Sequence, residues 1–358
     1  MDAALATLTD TVRQAAAERR ALRLRGGGTK DFYGQTLRGE IVDTRCYAGI
    51  VDYDPTELVI TARAGTPLAE IEAALAAHGQ MLAFEPPHFG DGATLGGCVA
   101  AGLSGPRRQA AGAVRDFILG ASLMNHGGEV MRFGGRVMKN VAGYDVSRLL
   151  AGSLGTLGMI LDVSLKVLPK PMADVTLSCE LDEETALRKL NEWSGKPIPI
   201  SASLWREGTV WLRLSGTTAA IDAATKRLAR EHVWARLDPA PAAQLWVDIR
   251  EQRDRFFGGD APLWRLSVPS TAIPLALEAP QLIEWGGALR WFRTRADAIT
   301  MRNAAARVGG HGTLFRGTDK TAGAFHPLPT ALRKIHAALK GELDPAGIFN
   351  PGRMYDDF

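Results

Sequence analysis

Gly92-Ala-Thr-Leu-Gly-Gly-Cys98 and Gly152-Ser-Leu-Gly-Thr-Leu-Gly158 are the stretches on which a reading of this chain turns, and both lie within a longer segment from Pro86 to Ile160. Gly92, Gly96, Gly97, Gly152, Gly155 and Gly158 leave the main chain bare, so a ligand can approach backbone amides with no side chain in the way. Thr94 and Ser153 add hydroxyl donors. The pattern predicts a backbone-lined cavity. Glycine at this density is poor helix and strand material, and the same residues also read as a run of tight turns.

Upstream stands Leu22-Arg-Leu-Arg-Gly-Gly-Gly-Thr-Lys30, followed by Tyr33-Gly34. Leu22 and Leu24 alternate with Arg23 and Arg25 as in a short strand, which runs straight into three glycines, a threonine and a lysine. Consecutive glycine amides can form a nest for an anion, with Thr29 as a further donor and Lys30 as counter-charge, so the stretch reads as a phosphate cradle. It departs from two better-known cradles. The dinucleotide fingerprint starting at Gly26 would need glycine where Asp31 stands, and a P-loop needs Gly-Lys-Ser/Thr where the chain has Thr29-Lys30-Asp31.

Gly26-Gly-Gly-Thr-Lys30, Gly92-Ala-Thr-Leu-Gly-Gly97, Val114-Arg-Asp-Phe-Ile-Leu-Gly120, Lys139-Asn-Val-Ala-Gly-Tyr-Asp145, Gly152 to Gly158 and Gly347-Ile-Phe-Asn-Pro-Gly352 follow one another along nearly the whole chain. In that order they resemble the vanillyl-alcohol oxidase type (PCMH-type) superfamily of FAD-binding proteins. Gly102-Leu-Ser-Gly-Pro-Arg-Arg108 and Val137-Met-Lys-Asn-Val-Ala-Gly-Tyr144 most resemble the family of FAD-binding E subunits of bacterial glycolate oxidase.

The resemblance implies an α+β protein: a PCMH-type FAD-binding domain of two α+β subdomains over residues 1–172, an α+β cap with an antiparallel sheet over 173–325, and a C-terminal return to the FAD domain over 326–358. It implies FAD as the cofactor, with Gly26, Gly27, Gly28, Thr29, Lys30 and Gly34 at the first glycine loop. Thr94, Leu95, Gly96, Gly97, Gly102 and Ser104 would lie along the pyrophosphate and ribityl chain, and Gly112 and Val114 by the ring system. Ser153, Gly158 and Ile160 would hold the adenine side, with Asn350 near the flavin. Many members of the superfamily attach the flavin through histidine or cysteine. No histidine occurs between Gly26 and Gly34, so FAD is expected without a covalent link.

Composition sets outer limits. The 358 residues suffice for two domains with real cores, and 46% hydrophobic with 23% charged is ordinary globular composition. A net charge of +3, with basic residues dispersed among acids, offers no stripe for nucleic acid. Cys46, Cys98 and Cys179 lie too far apart in sequence to form a zinc or iron–sulfur motif. The start, Met1-Asp-Ala-Ala-Leu-Ala, lacks the apolar core of a signal peptide, and no apolar run is long enough to span a bilayer. A reduced cytoplasmic protein is expected, with the resemblance adding peripheral association at the inner face of the membrane through a complex.

In chain order, residues 1–20 predict an amphipathic helix with Leu5, Leu8 and Val12 on one face. A strand is expected within 51–61, then a helix N-capped by Thr66, opened by Pro67 and closed by Gly79, with Leu68, Ile71 and Leu75 inward. From Ile160 to Leu168, Leu161, Val163, Leu165 and Val167 alternate with polar residues, which predicts a half-buried strand ended by Pro169 and Pro171. Of 39 glycines, 24 precede residue 170, whereas all eight tryptophans lie between 190 and 295. Strand candidates such as Thr209–Leu214 then alternate with helical ones such as Ala219–His232, which suits an antiparallel sheet with helices on one face. Tryptophans there are core residues first, and candidates for a substrate pocket or subunit contact second. A final helix is expected over Thr330–Lys340, with Leu332, Ile335 and Leu339 sharing a face.

Oxidation of a 2-hydroxy acid needs a cation for the carboxylate, a base for the hydroxyl proton and a flavin to take the hydride. Dehydrogenase relatives resemble a His-x-Gly-Asp-Gly-Asn-x-His pattern that often holds a metal. At Gly310-His-Gly-Thr-Leu-Phe-Arg316 only His311 of it remains, so no metal is expected. His88, His311 and Arg316 are the candidates for substrate contact. The resemblance implies either a subunit that oxidises glycolate to glyoxylate or relays its electrons, with a larger paralogous FAD subunit and an iron–sulfur subunit as partners, or a flavin-bearing assembly subunit without substrate chemistry. A free-standing flavin oxidoreductase of another small hydroxy acid is a third reading.

Overall fold

The computed structural model describes residues 2–135 and 145–358. The wording Lys139 to Tyr144, which contributed to the resemblance, lies outside the described residues.

Two antiparallel sheets organise the chain. The first has five strands, in the order Ile50–Asp54, Val59–Arg63, Met159–Lys166, Ile118–Met124 and Val130–Gly134. Its middle strand is the one expected over 160–168, but it is more than half buried, because it has partners on both edges and helices packed against it. Val163, Leu165 and Val167 join Leu68, Ile71 and Leu75 in one core, while Met159 and Leu161 meet Leu8, Val12 and Ala15 of the helix Ala3–Glu18 in another. Its polar residues are paired across strands: the Ser164 and Thr61 hydroxyls are 2.8 Å apart, and the Ser122 hydroxyl donates to Asp162.

The region expected to hold one strand over 51–61 folds as a hairpin of two. Thr66 does not cap the following helix, Leu68–Ala76, whose N-cap is Pro67. The Thr66 hydroxyl instead donates to the Gly49 carbonyl and accepts from the Gly49 N–H, tying the helix entrance back to the hairpin.

The second sheet has eight strands. A two-residue strand at Ala235–Arg236 forms one edge, followed by Ala173–Glu180, Thr209–Gly216, Ile200–Arg206, Gln281–Glu284, Leu289–Arg293, Leu263–Ser267 and His311–Arg316. Helices Glu183–Ser194 and Thr218–Leu228 cover one part of it through Leu187, Leu190, Trp193, Ile221 and Leu228. Trp193, Trp205, Trp246, Trp264, Trp285 and Trp291 are buried, and Trp211 and Trp234 are partly so.

A third core joins the two halves. Tyr33, Ala101, Leu103 and Leu154 from the first meet Leu204, Trp285, Trp291 and Phe315 from the second. The C-terminal segment then returns to the first half: Leu22 and Phe349 form a parallel bridge, and the buried Lys340 donates to the carbonyls of Thr156 and Phe349 and to the Asp344 carboxylate. Lys340 belongs to the helix Thr330–Leu343, whose expected apolar face is turned outward, with Ile335 61% exposed.

Candidate functional site

Gly96 and Gly97 overturn their expected conformation. They lie within a helix, Leu95–Ala101, capped by the Thr94 hydroxyl, which accepts from the Gly97 N–H at 3.3 Å. Glycine is needed at 96 for close approach: a Cβ there would sit 2.7 Å from the Ala64 Cβ. The helix lies directly on the neighbouring strand's end, with Gly96 N–H donating to Ala64 O at 2.8 Å.

The two upstream glycine segments meet backbone to backbone. A Cβ on Gly27 would fall 1.6 Å from the Gly92 carbonyl oxygen, and one on Gly26 2.2 Å from the Thr94 hydroxyl. Against this wall run two adjoining clefts of about 410 and 550 Å³, which share Gly26, Gly97, Ala100, Leu154 and Asn350 in their linings.

The larger cleft is lined by Gly26, Gly27, Gly28, Thr29, Lys30 and Asp31. Among the described residues, the main-chain N–H groups of Gly27, Gly28, Thr29 and Lys30 have no protein acceptor. Four successive free donors are what an anion nest is made of. The Lys30 ammonium is held by the Thr29 hydroxyl and the His88 carbonyl and lies 5.6 Å from the Phe89 ring centre, with no carboxylate at ion-pair distance among the described residues. Burial lowers its pKa, partly offset by the charge of Glu251. A positive group without an ion-pair partner beside free amides suits a diphosphate.

Asn350 holds the clefts' shared wall. Its side chain accepts from Leu24 N–H at 2.8 Å and donates to Leu154 O at 2.6 Å, joining the first strand to the second glycine turn. It adopts φ 42°, a left-handed conformation that asparagine tolerates better than most residues.

Of the residues expected to serve FAD, the Gly26–Lys30 run, Thr94, Gly96, Gly97, Gly158, Ile160 and Asn350 line these clefts. Others stand behind the walls. Leu95 and Val114 are core, Gly102 closes its helix at φ 66° against Gly152, and Gly112 ends a short turn at φ 103°. The Ser153 hydroxyl donates to Leu150 O, and the Gly34 carbonyl accepts from Lys320. The Ser104 hydroxyl accepts from Val114 N–H, and Ser104 also lines a separate pocket.

The three candidates for substrate contact are not gathered together. The His88 imidazole turns to Glu72, at 3.2 Å. His311 and Arg316 sit at opposite ends of one strand, roughly 16 Å apart at the usual rise per residue. Arg316 lies over Phe32, 4.4 Å from its centre. No group of three or more metal-ligating side chains occurs among the described residues.

The separate pocket, about 340 Å³, opens between the two halves and is lined by Phe89 and Ser104 from the first and Arg250, Arg265, Glu284 and Trp291 from the second. Burial pushes the Glu284 carboxyl up to about 7, although the Trp291 indole donates to it at 2.7 Å and Arg265 is nearby. Neither Arg265 nor Glu284 belongs to a motif, and only the sheet order sets their strands on either side of Leu289–Arg293. No signal in the sequence distinguishes them.

Free main-chain N–H groups beside a glycine-walled cleft suit a nucleotide cofactor, and the FAD binding domain family matches residues 4–134. The chain is 47% identical to the glycolate oxidase subunit GlcE of Escherichia coli (strain K12), over 97% of its own length and 96% of that protein. It therefore belongs to the glycolate oxidase E-subunit family. The glycolate oxidase subunit GlcD of Bacillus subtilis (strain 168) is 32% identical over 43% of this chain and 33% of its own. Among solved structures, an alkyldihydroxyacetonephosphate synthase matches with TM-score 0.68 and 16% identity, covering 96% of this chain and 73% of that one, a likeness of fold.

Proposed function

We propose that this chain is the FAD-carrying E subunit of a glycolate oxidase complex that converts glycolate to glyoxylate. The observation that carries the reading is the run of four free N–H groups from Gly27 to Lys30 beside an ammonium with no carboxylate partner, in a chain nearly half identical to a glycolate oxidase subunit. The nest and Lys30 would hold the diphosphate. Thr94, Gly96 and Gly97 would flank it on the opposing wall, and Gly158, Ile160 and Asn350 would border the remainder of the cofactor. FAD supplies the two-electron acceptor when bound. The protein's part is to neutralise, orient and shield from water.

In this reading the FAD domain spans residues 1–172, the cap 173–325 and the return 326–358. The break falls in the Pro169 to Met172 connection between the two sheets, and Leu22–Phe349 pairing accounts for the return. A larger FAD-binding paralogue of the GlcD kind and an iron–sulfur subunit would be the partners. The three cysteines are free and Cys98 and Cys179 are buried, so onward one-electron transfer would pass to a partner. No helix among the described residues is long and apolar enough to cross a membrane. The proposed location is the cytoplasm, at the inner membrane face through the complex.

The test is an absorbance spectrum of the purified chain before and after anaerobic addition of glycolate or D-lactate. A flavin band released by acid precipitation is expected, and its absence from protein supplied with FAD would overturn the reading. Bleaching by either acid would place oxidative chemistry in this chain. A band that stays oxidised would favour the flavin-bearing assembly subunit, the reading prompted by the missing metal-binding pattern around His311.

A further inference from the structure

The pocket between the two halves contains an arginine without an ion-pair partner among the described residues, with Glu284 near enough to act on its charge. Among the described residues the Arg265 guanidinium has no hydrogen-bonded acceptor and no carboxylate at ion-pair distance. It lies over the indoles of Trp285, at 5.2 Å, and Trp291, at 6.0 Å. Arg108 lies on Trp285 as well, at 4.3 Å, so two guanidinium groups share one ring. A cation in such a site, half-withdrawn from water, is stabilised by an anion entering beside it.

Glu284 sits 5% exposed in the same lining, and one carboxyl oxygen accepts from Trp291. The other has no partner among the described residues and is not sealed from the pocket. The backbone around it is held in uncommon conformations. Trp285 has φ 55° and Phe89, across the pocket, φ 56°, both left-handed and rare for bulky residues. The Trp285 indole donates to Gly105 O at 3.1 Å, so the strained turn is anchored to the opposite half. Strain of this kind persists where surrounding structure over-determines it, and it concentrates at ligand sites.

We propose that this pocket binds the carboxylate of a small 2-hydroxy or 2-oxo acid, with Arg265 as its counter-charge and the free oxygen of Glu284 as hydrogen-bond partner to the acid's 2-oxygen. The inference rests on the glycolate oxidase reading for the identity of the acid, and on the pocket alone for the anion. Phe89, Trp291 and Phe315 line the pocket beside the two polar groups. A protonated Glu284 donates to the 2-oxygen, and an ionised one can receive a proton from it. The charged groups acting on Glu284 are Arg265 and Glu85, while Arg250 shares the lining and Tyr33 and Arg108 act on Arg265.

The experiment is calorimetric titration of the full chain with oxamate, a short carboxylate that cannot be oxidised as a hydroxy acid, at pH 6 and pH 8, with flavin content recorded on each sample. Wild-type protein is expected to bind oxamate, about tenfold more weakly at the higher pH, because the neutral acid form of Glu284 is depleted through pH 7. Arg265→Met should weaken binding at least tenfold, Arg265→Lys should recover part of it, and Glu284→Gln should remove the pH dependence. Failure of wild-type protein to bind oxamate overturns the pocket, whether or not flavin is present. So does an Arg265→Met protein that binds as tightly as wild type, or a pH dependence that survives in Glu284→Gln. A missing flavin band with oxamate binding intact counts against the cofactor reading instead.

Discussion

The loop Gly26–Lys30 and the pocket of Arg265 each present positive charge to a cavity, one chiefly from the main chain and the other from side chains. In the loop, amides left free by the turn line the cavity, and apart from Lys30 the side chains are small or absent. In the pocket Arg265, Glu284 and Trp291 stand on strands whose main chain is paired, and a guanidinium, a carboxyl and two indoles set the chemistry. The two materials fail differently. A main-chain site is lost when a side chain is added, whereas a side-chain site is lost when one is removed.

The variant expected to separate the two sites most clearly is Gly27→Val. Its Cβ would need space now held by the Gly92 carbonyl, 1.6 Å away, so the two glycine segments must separate. We expect flavin content, read as the ratio of visible to ultraviolet absorbance, to fall more than tenfold. Arg265→Met should leave that ratio intact. Equal flavin loss in both variants would show that the two sites are one unit.

Next in size is Lys340→Met, which leaves the buried Asp344 carboxylate without its partner. Breaking a buried pair from one side costs about 3–5 kcal/mol. Denaturant unfolding should register that loss, and flavin retention should weaken because Lys340 also fixes the Thr156 and Phe349 carbonyls beside the clefts. A change below about 1 kcal/mol would mean that the C-terminal return is held by its apolar contacts, Ile348 and Phe349, and by the Leu22 and Asn350 hydrogen bonds rather than by this pair.

Gly96→Ala is milder. The new methyl meets a side-chain atom, the Ala64 Cβ, and the Ala64 carbonyl at 3.0 Å, so the helix shifts by part of an ångström at a cost of about 1–3 kcal/mol. Here the sequence was legible only in part. The glycines at 92–97 marked close backbone approach, but their low helix propensity pointed away from the helix Leu95–Ala101, which tertiary packing and the Thr94 cap impose. The strand at Met159–Lys166 was similarly visible by period, while its burial depended on partners distant in the chain. Arg265 and Glu284 were not visible at all. An arginine in an alternating strand looks like a solvated one until the register places Trp291 opposite it.

Glu284 can be tested without any ligand. In the unfolded chain its carboxyl ionises near the ordinary glutamate value of about 4.3, whereas burial in the fold keeps it protonated to about 7. Between those values the native state holds a proton that the unfolded chain has released, so native stability falls as pH rises through this window and levels off above it. In the Glu284→Gln protein this contribution is absent. Comparing the two proteins in urea, the stability difference should move in favour of the variant by roughly 1 kcal/mol between pH 6 and pH 8. A parallel pair of curves would mean that Glu284 is already ionised at pH 6, with Arg265 close enough to act as its counter-ion. The pocket would then be internally neutral, and its likeness to the amide nest as a site waiting for an anion would end.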